Sequence, residues 1–139
     1  MSQTAILWPM IAQVVLIYCV YALMARRRHA AIAAGNASHR QFRERTAEPG
    51  ESVTAYNNLV NQFELPVLFF PACLALFATN GSSFVVVTLA WVFVVSRYAH
   101  AWIHVTSNRL RYRRPAFVVG FVCLALMWLW LALHLLAIV

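Results

Sequence analysis

The sequence predicts an all-α integral membrane protein, four transmembrane helices in one bundle. Three observations carry this expectation. Hydrophobic residues make up 63% of the 139 and charged residues only 11%, with a mean hydropathy of +0.69, whereas a water-soluble domain has about a quarter charged residues. Four apolar runs are each long enough to cross a bilayer core. All eleven basic side chains are Arg, and ten of them sit in two segments between apolar runs. That placement is the signature of basic loops on one side of a membrane, which accounts for the pI near 10.2 without nucleic acid.

The first span covers residues 5–25. It has no charge, holds Pro9 in its opening half, and reaches ~31 Å at the helical rise, about one hydrocarbon core. No basic segment precedes it, and Arg26-Arg27-Arg28 follows it in place of a small-residue cleavage site, so it reads as a retained span and not as a signal peptide. The stretch RRRHAAIAA extends this helix until Gly35-Asn36 stops it. The turn EPGES, residues 48–52, leads into the second helix.

The second span, residues 54–78, carries its polar residues at the front, and Pro66 and Pro71 predict a kink. A short neutral turn, TNGS at 79–82, leads to the third span, 83–105, which contains Arg97 and His100. The next connection opens TSNRLRYRR, with four Arg, and ends at Pro115, where a helix start tolerates proline. The fourth span, 116–138, is apolar except for His134, expected near the interface. By the positive-inside rule, loops 26–53 and 106–115 are cytoplasmic and both termini periplasmic, or lumenal in a eukaryotic host. Cys19, Cys73 and Cys123 lie in three different runs without metal or redox spacing, and read as small apolar residues.

The stretch NNLVNQFELPVLFF, residues 57–70, places polar groups in a helix that continues into lipid. An ionisable residue deep in a span costs roughly 2.5–3.5 kcal/mol on the insertion scale. The following Leu, Val and Phe residues return only ~0.3–0.6 kcal/mol each, so Glu64 is expected to face a partner. Spans two and three should be antiparallel neighbours across their short turn. Glu64 lies ~22 Å below the turn and Arg97 ~21 Å below it, which predicts a structural ion pair. By the same count Asn61 is level with His100, and Asn57 with His104. Asn57, Asn61 and Glu64 form one helical stripe, and Arg97, His100 and His104 another. Two readings stay open: the stripes glue helices together, or they line a polar pocket open to the cytoplasm.

Arg109, Arg111, Arg113 and Arg114 crowd the last connection. Such arginines hold a loop in the cytoplasm and meet anionic lipid. Arg113 and Arg114 also precede an expected helix start, where the macrodipole is already positive. Cations there are favourable when they share an anion, so Arg plus helix N-terminus suits a carboxylate, phosphate or thiolate. Arg26–Arg28 end the first span on the same side. His100 and His104 have a metal-compatible spacing, but no Cys lies near them in sequence and Glu64 is assigned to Arg97, so no metal site is expected.

NQFELPVLFF in the second span and RYAHAWIHVTSNRLRYRRPAF from the third resemble the MAPEG family, membrane-associated proteins in eicosanoid and glutathione metabolism. The resemblance spans nearly the whole chain and is nearest to a small bacterial branch. It implies a homotrimer of four-helix bundles in a bacterial inner membrane, with glutathione as co-substrate in clefts between subunits near the cytoplasmic side. Asn61 and Glu64 match the family's N-x-x-E element, and Arg97 and His100 its R-x-x-H element. Arg113 matches the arginine that stabilises the glutathione thiolate in catalytic members. The chemistry is sound, because a neighbouring guanidinium favours thiolate over thiol. His104, Arg26, Arg109 and Arg114 complete the expected glutathione-binding set, and the spans offer a lipid-side entrance for a hydrophobic electrophile. Asn57 and Val60 stand where some members carry Arg, and His104 and Phe117 where some carry Tyr; Phe117 has no hydroxyl to donate.

Two functions follow as expectations. One is a membrane-bound glutathione, or related thiol, transferase or peroxidase acting on lipophilic electrophiles. The alternative is a non-enzymatic scaffold or lipid-binding protein of the same fold.

Overall fold

In a computed structural model of the chain, residues 2–44 and 46–137 are described. The expected end of the fourth span at Ile138, and Arg45 of the first loop, lie outside them. All regular structure among the described residues is helical. A 3₁₀ turn at Gln3–Ile6 leads into α1 (Leu7–Ala33), followed by the short α2 (His39–Glu44), α3 (Gly50–Asn61), α4 (Leu65–Ala78), α5 (Phe84–Val105) and α6 (Leu110–Leu135). Four segments are long and apolar enough to span a membrane: Gln3–Ala33, Gly50–Ala78, Phe84–Val105 and Leu110–Leu135. The fold is a four-helix membrane bundle.

Two helix ends, those of α1 and α4, use the same device, and α5 closes by a variant of it. After α1, Gly35 takes φ +76° and the amides of Gly35 and Asn36 return to the carbonyls of Ile32 and Ala31. This double closure satisfies the last carbonyls of a helix and favours Gly in the left-handed position. Asn80 closes α4 with φ 56°, and the Gly81 amide returns to Leu76 at 2.8 Å. Asn108 closes α5 with φ 49°, and its amide returns to Ile103 at 2.7 Å.

The second span is broken, not merely kinked. Gln62, Phe63 and Glu64 leave the helix, and Glu64 adopts φ −97°, ψ −104°. Pro66 explains the position. Its ring clashes with the carbonyl four residues back and disfavours helical geometry at the preceding residue. Pro71, by contrast, is accommodated inside α4.

The break divides two cores. The larger lies on the far side, where Phe69, Cys73 and Leu76 of α4 meet Phe93 and Val86 of α5 and Met127 of α6. Phe69 and Phe93 stack with centroids 4.3 Å apart. The smaller lies on the basic side, where Leu16, Val20 and Met24 of α1 meet Ala55 and Leu59 of α3 and Ala101 of α5. At the far end the 79–82 turn is tied down from two sides. Trp130 Nε1 donates to the Gly81 carbonyl at 3.2 Å, His134 Nε2 lies 3.0 Å from the Thr79 carbonyl, and Ser82 N donates to Gln3 Oε1 at 3.2 Å.

Candidate functional site

The polar side chains concentrate on the basic side of the break. On α5, Arg97, His100 and His104 are all buried and follow one face. On α3, Asn61 is the last helical residue before the break, and its amide nitrogen lies 3.5 Å from His100 Nε2 and 3.4 Å from His104 Nδ1. His100 Nδ1 faces the Arg113 carbonyl at 3.3 Å, so one imidazole connects α3, α5 and α6. The two rings meet edge-on with centroids 5.8 Å apart.

Arg97 is 2% exposed in the middle of this arrangement. Its guanidinium lies 5.0 Å from the Phe117 ring centroid and 5.8 Å from that of Phe93. Nη2 donates to the Ala116 carbonyl at 3.3 Å, and Nε has no hydrogen-bond partner among the described residues. Room for the side chain comes from Gly120, where an added Cβ would stand 3.2 Å from both Nε and Nη2.

The ion pair expected between Glu64 and Arg97 is not made within the chain. Among the described residues no carboxylate lies within 4.0 Å of Arg97, and Glu64 is exposed. The depth count placed them level, but the break at 62–64 releases Glu64 from the helical phase of α3 and turns it outward. Asn57 is likewise exposed and does not reach His104; Asn61 serves both histidines instead.

The residues one position further round α3 carry a buried relay that the stripe count missed. Asn58 is fully buried and donates to the Ala101 carbonyl at 3.0 Å. Gln62 Nε2 donates to Asn58 Oδ1 at 2.9 Å, and Gln13 Nε2 donates to Gln62 Oε1 at 2.9 Å. The signal was present: Asn58 and Gln62 are themselves i, i+4, and Gln13 is a lone amide in an uncharged span.

The arginines divide by role. Arg113 is half-buried, and its Nη1 donates to Asn108 Oδ1 at 2.6 Å. Arg26, Arg109, Arg111 and Arg114 are exposed. The α6 helix begins at Leu110, so Pro115 sits inside it. Arg109 is therefore the N-cap, and Arg111, Arg113 and Arg114 lie within the first two turns. The first turn of α6 holds no acidic residue, so the positive helix end and the arginines around it favour negative charge there. Arg27 is a strut: Nη1 donates to Thr54 Oγ1 at 2.6 Å and Nη2 to the Val105 carbonyl at 2.7 Å. Arg28 holds Glu48 with two hydrogen bonds, 2.9 and 2.6 Å, and stacks beside Phe42 and Tyr56. These residues wall a cavity of about 350 Å³ under α2, away from the histidines. Burial alone would raise the Glu48 carboxyl, but the hydrogen bonds from Arg28 and Ser52 outweigh it and hold it below its ordinary value of 4.5. Among the described residues no three His, Cys, Asp or Glu side chains converge as a metal site.

Four spans, buried polar side chains on one side of the bundle and a cationic rim define an integral membrane protein with a polar constellation within the depth of the spans. The MAPEG family model matches residues 5–133, nearly the full chain, and the chain belongs to that family. Comparison with curated proteins and with solved structures gives no match.

Proposed function

We propose that this protein uses glutathione, or a related thiol, against lipophilic electrophiles, and that it does so as a homotrimer. Membership of the MAPEG family supports this reading. The observation that carries it is the charge balance on the basic side. The buried Arg97, the half-buried Arg113 and the arginines at the start of α6 have no carboxylate within 4.0 Å among the described residues. A site built this way favours an anionic ligand, and guanidinium groups favour thiolate over thiol. Arg113 is assigned to the thiolate. Asn61, Glu64, His100 and His104, with Arg109 and Arg114 at the rim, are assigned to the rest of the glutathione molecule; Arg26, expected in that set, makes no contact with these residues and is left out of it. The exposed Glu64 carboxylate suits its ammonium group. Transfer then needs only attack of the thiolate sulfur on an electrophilic carbon, with the leaving group departing with its electron pair. The same thiolate would reduce a lipid hydroperoxide to an alcohol and water, two thiols closing to a disulfide. We place the protein in a bacterial inner membrane from its resemblance to the family's small bacterial branch, with both termini periplasmic from the arginine-rich loops.

A second reading, a scaffold or lipid-binding protein, is favoured by one contact: Arg113 is already engaged by Asn108 at 2.6 Å. The test is thermal unfolding of detergent-purified protein with glutathione and with S-methylglutathione. Stabilisation by glutathione that exceeds the S-methyl form, and is lost in Arg113→Ala without loss of assembly, supports the thiol reading. If glutathione neither stabilises nor turns over and Arg113→Ala is silent, while Glu64→Gln or Arg97→Ala breaks up the assembly, the scaffold reading stands instead.

A further inference from the structure

A groove of about 490 Å³ runs along the outside of the bundle between α1 and α5. Leu16, Cys19 and Leu23 form one wall and Tyr98, Trp102 and Val105 the other, with Asn58 on the floor. We propose that this groove holds one anionic phospholipid, an acyl chain along its length and the phosphate at Arg26 and Arg27.

The polar groups along the groove are already satisfied inside the chain. Asn58 donates to Ala101 and accepts from Gln62, and the Tyr98 hydroxyl donates to the Ala12 carbonyl at 2.9 Å. Nothing along the walls asks for a polar occupant, so the groove suits hydrocarbon. Its length fits as well. The groove's own wall on α1 runs from Leu16 to Leu23, ~10 Å of helical rise, and Arg27 lies ~6 Å further along α1, so groove and arginines together cover ~16 Å, about half of a ~30 Å hydrocarbon core.

Only the basic end differs. Arg26 and Arg27 follow Leu23 by three and four residues, so the wall of α1 ends in two guanidinium groups. Arg27 is fixed there by its bond to the carbonyl of Val105, itself a groove residue. Among the described residues neither arginine has a carboxylate within 4.0 Å. Three of the four Glu are taken elsewhere: Glu48 by Arg28, Glu44 by Arg40, and Glu51 by the Asn36 amide. Trp102, 71% exposed, flanks the groove within one turn of the end of α5, the depth at which indoles sit at membrane interfaces. An apolar groove that ends at the exposed Arg26, beside the hydrogen-bonded Arg27, is complementary to an acidic phospholipid and not to a zwitterionic one.

The test is native mass spectrometry of the detergent-purified protein incubated with phosphatidylglycerol or phosphatidylcholine of equal chain length. One phosphatidylglycerol retained per chain, favoured by about tenfold over phosphatidylcholine, is expected from two basic residues near the phosphate. Cys19→Trp fills the groove and should abolish retention of both lipids while circular dichroism stays unchanged. Arg26→Gln, which leaves the Arg27 strut intact, should lower the preference for phosphatidylglycerol without removing lipid altogether. Glycerol phosphate should not compete, since it lacks the chain. Equal retention of the two lipids by the wild type, or unchanged retention in Cys19→Trp, would overturn the proposal. So would a change of oligomeric state in Cys19→Trp with lipid retention intact, which would place a second copy of the chain against this face.

Discussion

Gly120 of α6 and Arg97 of α5 fit one another: a Cβ on the glycine would lie 3.2 Å from the arginine Nε and Nη2, and 2.6 Å from the neighbouring Ser96 Oγ. The absence of a side chain on one helix is what allows a guanidinium to lie between the two. Gly120→Ala gains roughly 1 kcal/mol of helix propensity, but its Cβ would meet Ser96 and Arg97 of α5 and push the two helices apart there. Overpacking of this kind costs about 1–3 kcal/mol. The expected result is a lower Tm in detergent, read by circular dichroism; a higher Tm would mean that Arg97 moves freely.

Asn58 and Asn57 are adjacent in sequence and opposite in consequence. Asn58→Ala removes the last member of the Gln13–Gln62–Asn58 relay and leaves the buried amide of Gln62 without its acceptor. An orphaned buried polar group costs about 1–3 kcal/mol, whereas amide bonds in membrane proteins average nearer ~0.6 kcal/mol. The expected loss is therefore about 1–2 kcal/mol. Asn57→Ala should stay within about 0.5 kcal/mol. Reversible unfolding in mixed micelles separates the two, and equal effects would contradict the relay.

Glu48 makes the α2 segment sensitive to acid. Its carboxyl titrates lower in the folded chain than its ordinary value of 4.5. The Arg28–Glu48 contact therefore contributes fully above that value and is lost as pH falls through the lowered folded value. Hydrogen exchange across residues 36–50 should rise in that window and not between pH 6 and 8. In Glu48→Gln the same amides should exchange faster at neutral pH and lose the acid dependence.

Phe117 offers a gain-of-function test of the proposed thiol site. It lies beside His100, with centroids 5.8 Å apart, and beneath the Arg97 guanidinium. Phe117→Tyr keeps the ring and adds one hydroxyl donor. A single added hydrogen bond is worth about 0.5–1.5 kcal/mol, so glutathione affinity by calorimetry should rise by up to about tenfold. An unchanged affinity would place the ligand away from this ring.

Four spans were legible because hydropathy and length need only composition, and the stop at Gly35-Asn36 because its chemistry is local. Depth was legible too: Asn61 does meet His100, since height along antiparallel helices follows from counting residues from a shared turn. Rotation was not. The count carried one helical phase through residues 54–78, but Pro66 breaks that phase at 62–64 and leaves Glu64 exposed. Within the unbroken α3 the count gave height but not which side turns to the core, and Asn58, not Asn57, is the buried one. The start of α6 was missed for a related reason: Pro115 marks where a helix tolerates proline, not where it must begin, and the first helical residue is Leu110. The Arg28–Glu48 clasp and the Arg27 strut join groups far apart in sequence, which no periodicity could pair.

The break at 62–64 also divides the molecule mechanically. Beyond it, stacked aromatics and a turn tied down by Trp130, His134 and Gln3 make a stiff block. Before it, α3 rests on a smaller apolar cluster and is linked to its neighbours through amides, imidazoles and guanidiniums. The apolar half therefore sets the spacing of the spans, and the polar half is the one whose contacts a bound ligand can trade.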